Sequence, residues 1–182
     1  SLEETIEEVV RRNKETLDRA RKKSEDVLRE LERVLRELKR RTDEVARKLK
    51  EELDKLDRED EDLKRKIKRI EERLRELLET NRRMLERILE EAEKIHRRNE
   101  RRLRELKKRT EKLLRDLKRD QVPEDVVRRL LEELERLSRD LERHVKRSEE
   151  EARDLLRKAR EHVERSVKEI EDLLEDLKRE AT

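Results

Sequence analysis

The chain has 182 residues, of which 60% are charged and 30% hydrophobic, with a single proline and no glycine, cysteine or aromatic residue. This composition excludes turn-rich folds, favours long helices over sheets, and leaves no disulfide or thiolate chemistry. The 56 basic and 53 acidic residues are interleaved along the chain. This argues against a nucleic-acid or membrane binder, in which basic residues cluster on one face.

The first third of the chain shows the spacing of one helix face. Val9, Val27 and Val45 lie 18 positions apart within an apolar stripe, here called the seam, that should face the other helices. Eighteen residues complete five turns at 3.6 residues per turn, so this seam runs straight along a helix without superhelical twist. We predict a helix over about 2–57.

The second and third parts of the chain follow the same period. The repeated apolar residues of the second part are Ile70, Ile88 and Leu106. Those of the third part are Val127, Val145 and Val163. We therefore predict helices over about 61–119 and 123–180. The predicted fold is an all-α, single-chain, up-down-up antiparallel three-helix bundle with straight helices, in one domain covering 1–182.

Two short polar stretches separate the predicted helices, "DREDED" at 57–62 and "DQVPED" at 120–125. Pro123 suits a first helical turn, and the carboxylates of both stretches favour the positive end of the following helix dipole. The first stretch contains neither Gly nor Pro, and Leu63 follows Val45 by 18 residues, so the apolar repeat continues across the stretch. One helix running through residue 60 is therefore an alternative, and it would give an oligomer of open, longer helices.

Polar residues interrupt the seam, and most of them repeat at the same interval of 18. They are Asn13, Ser24 and Thr42 in the first helix, Asn81, Asn99 and Thr110 in the second, and His144, Ser148, His162 and Ser166 in the third. In two antiparallel helices, residues that face each other lie equally far from the connecting turn, so their numbers have a constant sum. With turns centred on the two polar stretches, that sum is about 123 for the first and second helices and about 243 for the second and third.

These sums predict two equivalent layers of buried polar side chains. The layers are Ser24 with Asn99 and His144, and Thr42 with Asn81 and His162. Asn13 and Thr110 satisfy the first sum as a third pair, and Ser148 and Ser166 lie one turn from the histidines. Hydroxyl, amide and imidazole groups can satisfy one another's donors and acceptors. Because a slipped helix would set Asn or His against Leu, such layers specify helix register.

The seam histidines allow other interpretations. His144 and His162 lie about 27 Å apart along a helix and have no Cys or carboxylate partner in the seam, so no metal or other cofactor is predicted. A close-packed core offers no catalytic pocket, so no enzyme is expected. Burial would hold both pKa values below about 6.5, which predicts a weakened but still folded protein near pH 5. His96 is predicted at the edge of the core, where it could join Ser148.

The 18-residue repeat, the Glu/Lys/Arg surface and the segment "LRELERVLRELKRR" at 28–41 resemble de novo designed, parametrically generated helical bundles with buried hydrogen-bond networks. The resemblance covers the whole chain. It implies a hyperstable structural scaffold of synthetic origin, without natural biochemical activity, in which the polar layers supply structural specificity. Natural three-helix spacers such as spectrin repeats share the topology but normally carry core Trp, which is absent here.

The number of apolar residues indicates whether the chain has a surface left for a partner. Three helices with about 16 seam positions each use most of the roughly 55 apolar residues, so a monomer that requires no partner is expected. The alternative is an interaction module that accepts a helix from a partner or self-assembles. The basic stretch 97–110 could attract phosphates, although a solvated helix face is the favoured interpretation. No membrane span or signal peptide is visible, so a soluble protein is expected.

Overall fold

A computed structural model describes residues 2–57, 59–119 and 121–181 of the chain. They form three helices, α1 (Leu2–Asp54), α2 (Glu61–Leu117) and α3 (Glu124–Ala181), and the described ranges contain no strand. The fold is an all-α three-helix bundle, which confirms the predicted class. Because α1 ends at Asp54 and α2 begins at Glu61, the alternative of one helix running through residue 60 is wrong.

The turn between α1 and α2 is built from aspartates instead of glycine. Asp57 Oδ1 accepts a hydrogen bond from the backbone N of Glu59, and Asp60 Oδ1 accepts one from the N of Asp62, both at 3.0 Å. The carbonyl of Asp60 accepts the first helical bond of α2 from Lys64 N at 2.9 Å. Asp60 is therefore the N-cap of α2, as the carboxylates of this stretch suggested. Arg58 lies outside the described residues.

The turn between α2 and α3 uses a different device. Gln121 has a φ of 65°, which lies in the left-handed region. This region is unfavourable for any residue that has a Cβ. The carbonyl of Pro123 accepts hydrogen bonds from the N atoms of Val126 and Val127, both at 3.1 Å. Pro123 therefore caps α3 from just outside it, one position earlier than the predicted place in the first turn. Asp120 lies outside the described residues.

The described residues form two compact units, and each contains a segment of all three helices. The first unit combines α1 up to Glu30 with Ala92–Arg153. The second combines Leu31–Glu91 with α3 from Asp154 onward. Every polar cross-helix contact described below joins residues of the same unit.

Leucine is the most frequent buried residue in both units. In the first unit, Leu106, Leu134 and Leu141 are at most 1% exposed. In the second, Leu49 and Ile170 are fully buried. Burial of one such side chain stabilises the fold by about 1.5–3 kcal/mol. These contacts are not directional, so the leucines hold the helices together without selecting one axial alignment.

Candidate functional site

The first unit contains a hydrogen-bond network centred on Asn99 of α2. Its Nδ2 donates to Ser24 Oγ on α1 at 3.3 Å, and its Oδ1 accepts from Ser148 Oγ on α3 at 2.7 Å. The three side chains are buried, with 5%, 9% and 7% of their surface exposed. The two ends of one amide therefore connect a hydroxyl on α1 to a hydroxyl on α3, and we call this group the Asn99 network.

His96 extends the Asn99 network toward the surface. Its Nδ1 lies 3.2 Å from Ser24 Oγ, and its Nε2 lies 2.9 Å from the carboxylate Oε1 of Glu100. In the tautomer that donates from Nε2 to Glu100, Nδ1 is an acceptor for the Ser24 hydroxyl. His96 thus joins Ser24 and not the turn around Ser148, and its position at the edge of the core agrees with the prediction.

The second unit contains an equivalent network centred on Asn81 of α2. Its Nδ2 donates to Thr42 Oγ1 on α1 at 2.8 Å, and its Oδ1 accepts from Ser166 Oγ on α3 at 3.3 Å. The Thr42 hydroxyl donates to the carbonyl of Leu38 at 3.0 Å. We call this group the Asn81 network. It repeats the connectivity of the Asn99 network 18 residues away along α2.

The predicted sum of residue numbers holds for the contacts between α1 and α2. Ser24 and Asn99 have numbers that sum to 123, as do Thr42 and Asn81, which confirms the predicted pairing. Such sums identify antiparallel neighbours, because facing positions recede from the turn by equal steps in each helix.

The predicted contacts between the asparagines and the histidines are wrong. Ser148 and Ser166, one turn beyond His144 and His162, are the α3 partners of the two asparagines, so the sum between α2 and α3 is 247 instead of 243. A turn position predicts facing residues only to within one helical turn, because packing sets the axial stagger of α3.

His144 and His162 are half-buried beside the networks instead of inside them. The Nε2 atom of each ring is enclosed and has no hydrogen-bond partner among the described residues. Their backbone carbonyls take part indirectly, since they accept from Ser148 and Ser166 Oγ at 3.0 Å each. The histidines therefore contribute unsatisfied ring nitrogens and not the predicted imidazole hydrogen bonds.

The surroundings of both rings favour the neutral imidazole. Burial lowers the pKa of His144, and the positive charges of Arg102 and Arg98 on α2 lower it further against the opposing effect of Glu151. Burial also lowers the pKa of His162, with Arg165 as the second cause. Desolvation disfavours the charged form in both cases. The direction of these shifts is the one predicted from the seam positions.

The predicted pair of Asn13 and Thr110 does not form. Asn13 Nδ2 donates to Ser138 Oγ at 2.8 Å and to the carbonyl of Leu134 at 3.3 Å, both on α3. Thr110 Oγ1 donates to the carbonyl of Leu106 in its own helix at 2.8 Å. A threonine hydroxyl that can bond to the carbonyl four residues earlier needs no partner on another helix.

Ser138 is a partner that the sequence analysis missed, because the axial stagger of α3 differs from the predicted one. Helices α1 and α3 run in the same direction, so their facing residues should differ by a constant. That difference is 124 for Ser24 and Ser148 in the Asn99 network and 125 for Asn13 and Ser138. The two predicted sums imply a difference of 120 instead, which places Glu133 and not Ser138 opposite Asn13.

The Ser24, His96 and Glu100 side chains line a groove of about 500 Å³ between α1 and α2 of the first unit. Hydroxyl, imidazole and carboxylate in sequence is an arrangement that nucleophilic catalysis can use. Here the Ser24 hydroxyl also accepts a hydrogen bond from Asn99, which draws electron density from the oxygen that would attack. Within the described part of the chain, no group of three or more His, Cys, Asp or Glu side chains is arranged to hold a metal ion.

Comparison with protein-family models, with curated proteins and with solved structures finds no match for this chain. Among the described residues, no helix has both the length and the apolar character needed to cross a membrane.

Proposed function

We propose that this chain is a structural scaffold of designed origin, in which the Asn81 and Asn99 networks specify the register of the three helices. One observation carries the proposal: each asparagine joins a hydroxyl on α1 to a hydroxyl on α3 through the two ends of its amide. An 18-residue repeat of the whole arrangement supports an origin in a regular helical template.

The energetic basis is the contrast between leucine and asparagine. Neighbouring leucine layers tolerate a sliding helix, because one apolar contact replaces another of similar energy. A slide that separates Asn81 or Asn99 from its hydroxyls leaves a buried amide unsatisfied, at a cost of about 1–3 kcal/mol per group. Two networks on the same helix double that cost for the same displacement, so one register is favoured over its neighbours.

We assign the side chains of the Asn99 network a structural role and not a catalytic one. Ser24 is 9% exposed, and its Oγ accepts from Asn99 and lies 3.2 Å from His96 Nδ1. These bonds hold the hydroxyl in one orientation within the core, which suits a register contact. We expect no ester hydrolysis above that of the His96→Gln variant when both proteins are assayed with an activated phenyl ester.

The test of the scaffold proposal replaces both asparagines with leucine, Asn81→Leu with Asn99→Leu. Thr42, Ser148 and Ser166 keep backbone carbonyl acceptors in their own helices, so we expect the helix content and the free energy of unfolding to be retained. Because register is no longer specified, we expect several sets of amide signals in the ¹H–¹⁵N correlation spectrum, with weaker hydrogen-exchange protection.

The matched control is Thr110→Val. Thr110 is also buried, at 3% exposed, but its hydroxyl bonds only within α2, so its loss should leave a single set of amide signals. A single set of signals with native-like protection in the double leucine variant would contradict the proposal. Light scattering on all three proteins should give a monomer of 22.6 kDa.

A further inference from the structure

A small cavity lies beside the Asn99 network in the first unit. It has a volume of about 10 Å³, and residues of all three helices line it. Its polar lining consists of Ser24, Asn99, His144 and Ser148, together with the ion pair of Lys23 and Glu149 at 2.7 Å. A cavity of about 10–15 Å³ holds one water molecule when two to four polar groups can bind it. The volume and the lining therefore both suit a single water.

The charges around the cavity argue against an ion as its occupant. Lys23 lines the cavity, and the positive charges of Arg98 and Arg102 act on the His144 ring. These three charges disfavour a cation, and the Glu149 carboxylate disfavours an anion. A neutral molecule is the occupant that the surroundings favour.

The His144 ring needs a hydrogen-bond partner. Its Nε2 is enclosed and finds none in the part of the chain that the structure describes. Burial and the neighbouring arginines lower the pKa of the ring and so favour its neutral form. Buried polar atoms are nearly always paired with protein or with ordered water. Because His144 forms part of the cavity wall, a water in the cavity can supply this partner.

Asn99 carries a side-chain hydrogen that also needs an acceptor. Its Nδ2 has two hydrogens, and one of them is donated to Ser24 Oγ at 3.3 Å. Across the described ranges, no residue accepts the second hydrogen. The side chain is 5% exposed, so this hydrogen lies within the core. The wall of one cavity therefore holds both an unused donor, on Asn99, and the unpaired ring of His144.

We propose that the cavity binds one water molecule, which joins His144 to the Asn99 network. The water accepts the second Nδ2 hydrogen of Asn99 and donates to His144 Nε2, which places the ring hydrogen on Nδ1. Its other hydrogen goes to Ser24 Oγ, which keeps a free lone pair after accepting from Asn99. Three bonds are the usual number for a buried water.

The bridge has a structural consequence for the predicted layer. Ser24, Asn99 and His144 are then connected through water and not by direct contact between the amide and the imidazole. The proposal does not depend on the register function of the networks, because the water is held whether or not other registers are accessible.

The first test is nuclear magnetic resonance on the unmodified, ¹⁵N-labelled chain at pH 7.5. In a long-range ¹H–¹⁵N correlation spectrum, His144 Nε2 should have the chemical shift of a nitrogen without hydrogen, and Nδ1 that of a nitrogen with hydrogen. A rotating-frame spectrum should show a cross peak between water and the Asn99 side-chain amide, with the sign of dipolar contact and not of hydrogen exchange. A hydrogen on Nε2, or the absence of that cross peak, would overturn the proposal.

The second test displaces the water with a methyl group. Val27 lines the cavity, and Val45 lies 18 residues further along α1, outside the cavity lining. Val27→Ile should raise the equilibrium constant of unfolding about tenfold relative to Val45→Ile, because Asn99 and His144 lose their shared partner. In a dry cavity the methyl would fill empty space. Val27→Ile would then be at least as stable as Val45→Ile, which would overturn the proposal.

A His144→Leu background separates loss of the water from overpacking by the added methyl. This background has no ring nitrogen to satisfy, so the effect of Val27→Ile should fall to about threefold or less. Urea unfolding, followed by circular dichroism, measures all four proteins of this cycle. An equal effect of Val27→Ile in both backgrounds would identify overpacking as the cause and would overturn the proposal.

Discussion

A buried asparagine destabilises a leucine core unless both ends of its amide find partners. Asn81 and Asn99 each use Nδ2 toward α1 and Oδ1 toward α3. Asn13 differs, since its Nδ2 has two acceptors and its Oδ1 has no hydrogen-bond partner among the described residues. The side-chain amides of Asn81 and Asn99 therefore link all three helices, whereas that of Asn13 only donates hydrogen bonds.

Ser148 and Ser166 each have one hydroxyl hydrogen and two possible acceptors, and the nearer acceptor differs between the two residues. Ser148 Oγ lies 2.7 Å from Asn99 Oδ1 and 3.0 Å from the carbonyl of His144. Ser166 Oγ lies 3.3 Å from Asn81 Oδ1 and 3.0 Å from the carbonyl of His162. The hydrogen is therefore directed mainly to the asparagine in the first unit and mainly to the backbone in the second.

This difference predicts unequal costs for two matched substitutions. Ser148→Ala should lower the free energy of unfolding by about 1–3 kcal/mol, because it leaves Asn99 Oδ1 buried without its donor. Ser166→Ala should cost less, because its bond to Asn81 is longer, at 3.3 Å, and therefore weaker. Urea unfolding of both variants, followed by circular dichroism, measures the difference; equal costs would contradict the assignment of the shared hydrogens.

At the scale of the elements, both turns form without glycine: the Asp60 side chain caps α2, and the Pro123 carbonyl caps α3. Asp57 accepts the backbone N–H of Glu59 within the turn, and Asp60 accepts that of Asp62 in the first turn of α2. Glu124 and Asp125 place negative charge in the first turn of α3, and Lys178 and Arg179 place positive charge in its last turn. Both distributions favour the helix dipole. Absence of Gly is therefore compatible with two sharp turns.

Gln121 is the position where the absence of Gly has a cost. A residue with a Cβ in the left-handed region is disfavoured by about 1–2 kcal/mol relative to glycine. Gln121→Gly should raise the free energy of unfolding by about 0.5–1 kcal/mol, since the larger entropy of the unfolded glycine chain offsets part of the gain. Gln121→Ala retains the Cβ and is the control. Thermal unfolding of both variants checks this, and equal midpoints would contradict it.

At the scale of the whole molecule, pH acts through the two half-buried histidines. The pKa values of His144 and His162 are lowered in the folded protein by burial and by neighbouring arginines. The unfolded chain therefore binds more protons below its histidine pKa of about 6.5. The stability that depends on neutral rings is fully present above that pH and is lost as the pH falls below it.

We expect the free energy of unfolding to decline from about pH 6.5 toward pH 4.5 while the helices stay formed. The double variant His144→Leu with His162→Leu should remove this component and also replace two enclosed nitrogens that have no partner among the described residues. The free energy of unfolding of the double variant is subtracted from that of the original protein at each pH. This difference removes the contribution of the carboxylates, which both proteins share. A difference that is constant across this range would show that the histidines are not the cause.

Much of this architecture follows from the sequence by itself. The 18-residue repeat predicts three helices, the polar stretches predict where they break, and the turn position pairs Ser24 with Asn99 and Thr42 with Asn81, because counting from a turn is local geometry. Only the tertiary structure selected Ser148 and Ser166, and not the histidines, as the α3 partners of the two asparagines. The axial stagger and rotation of α3 depend on how all the side chains pack together, and no spacing within a single helix encodes that.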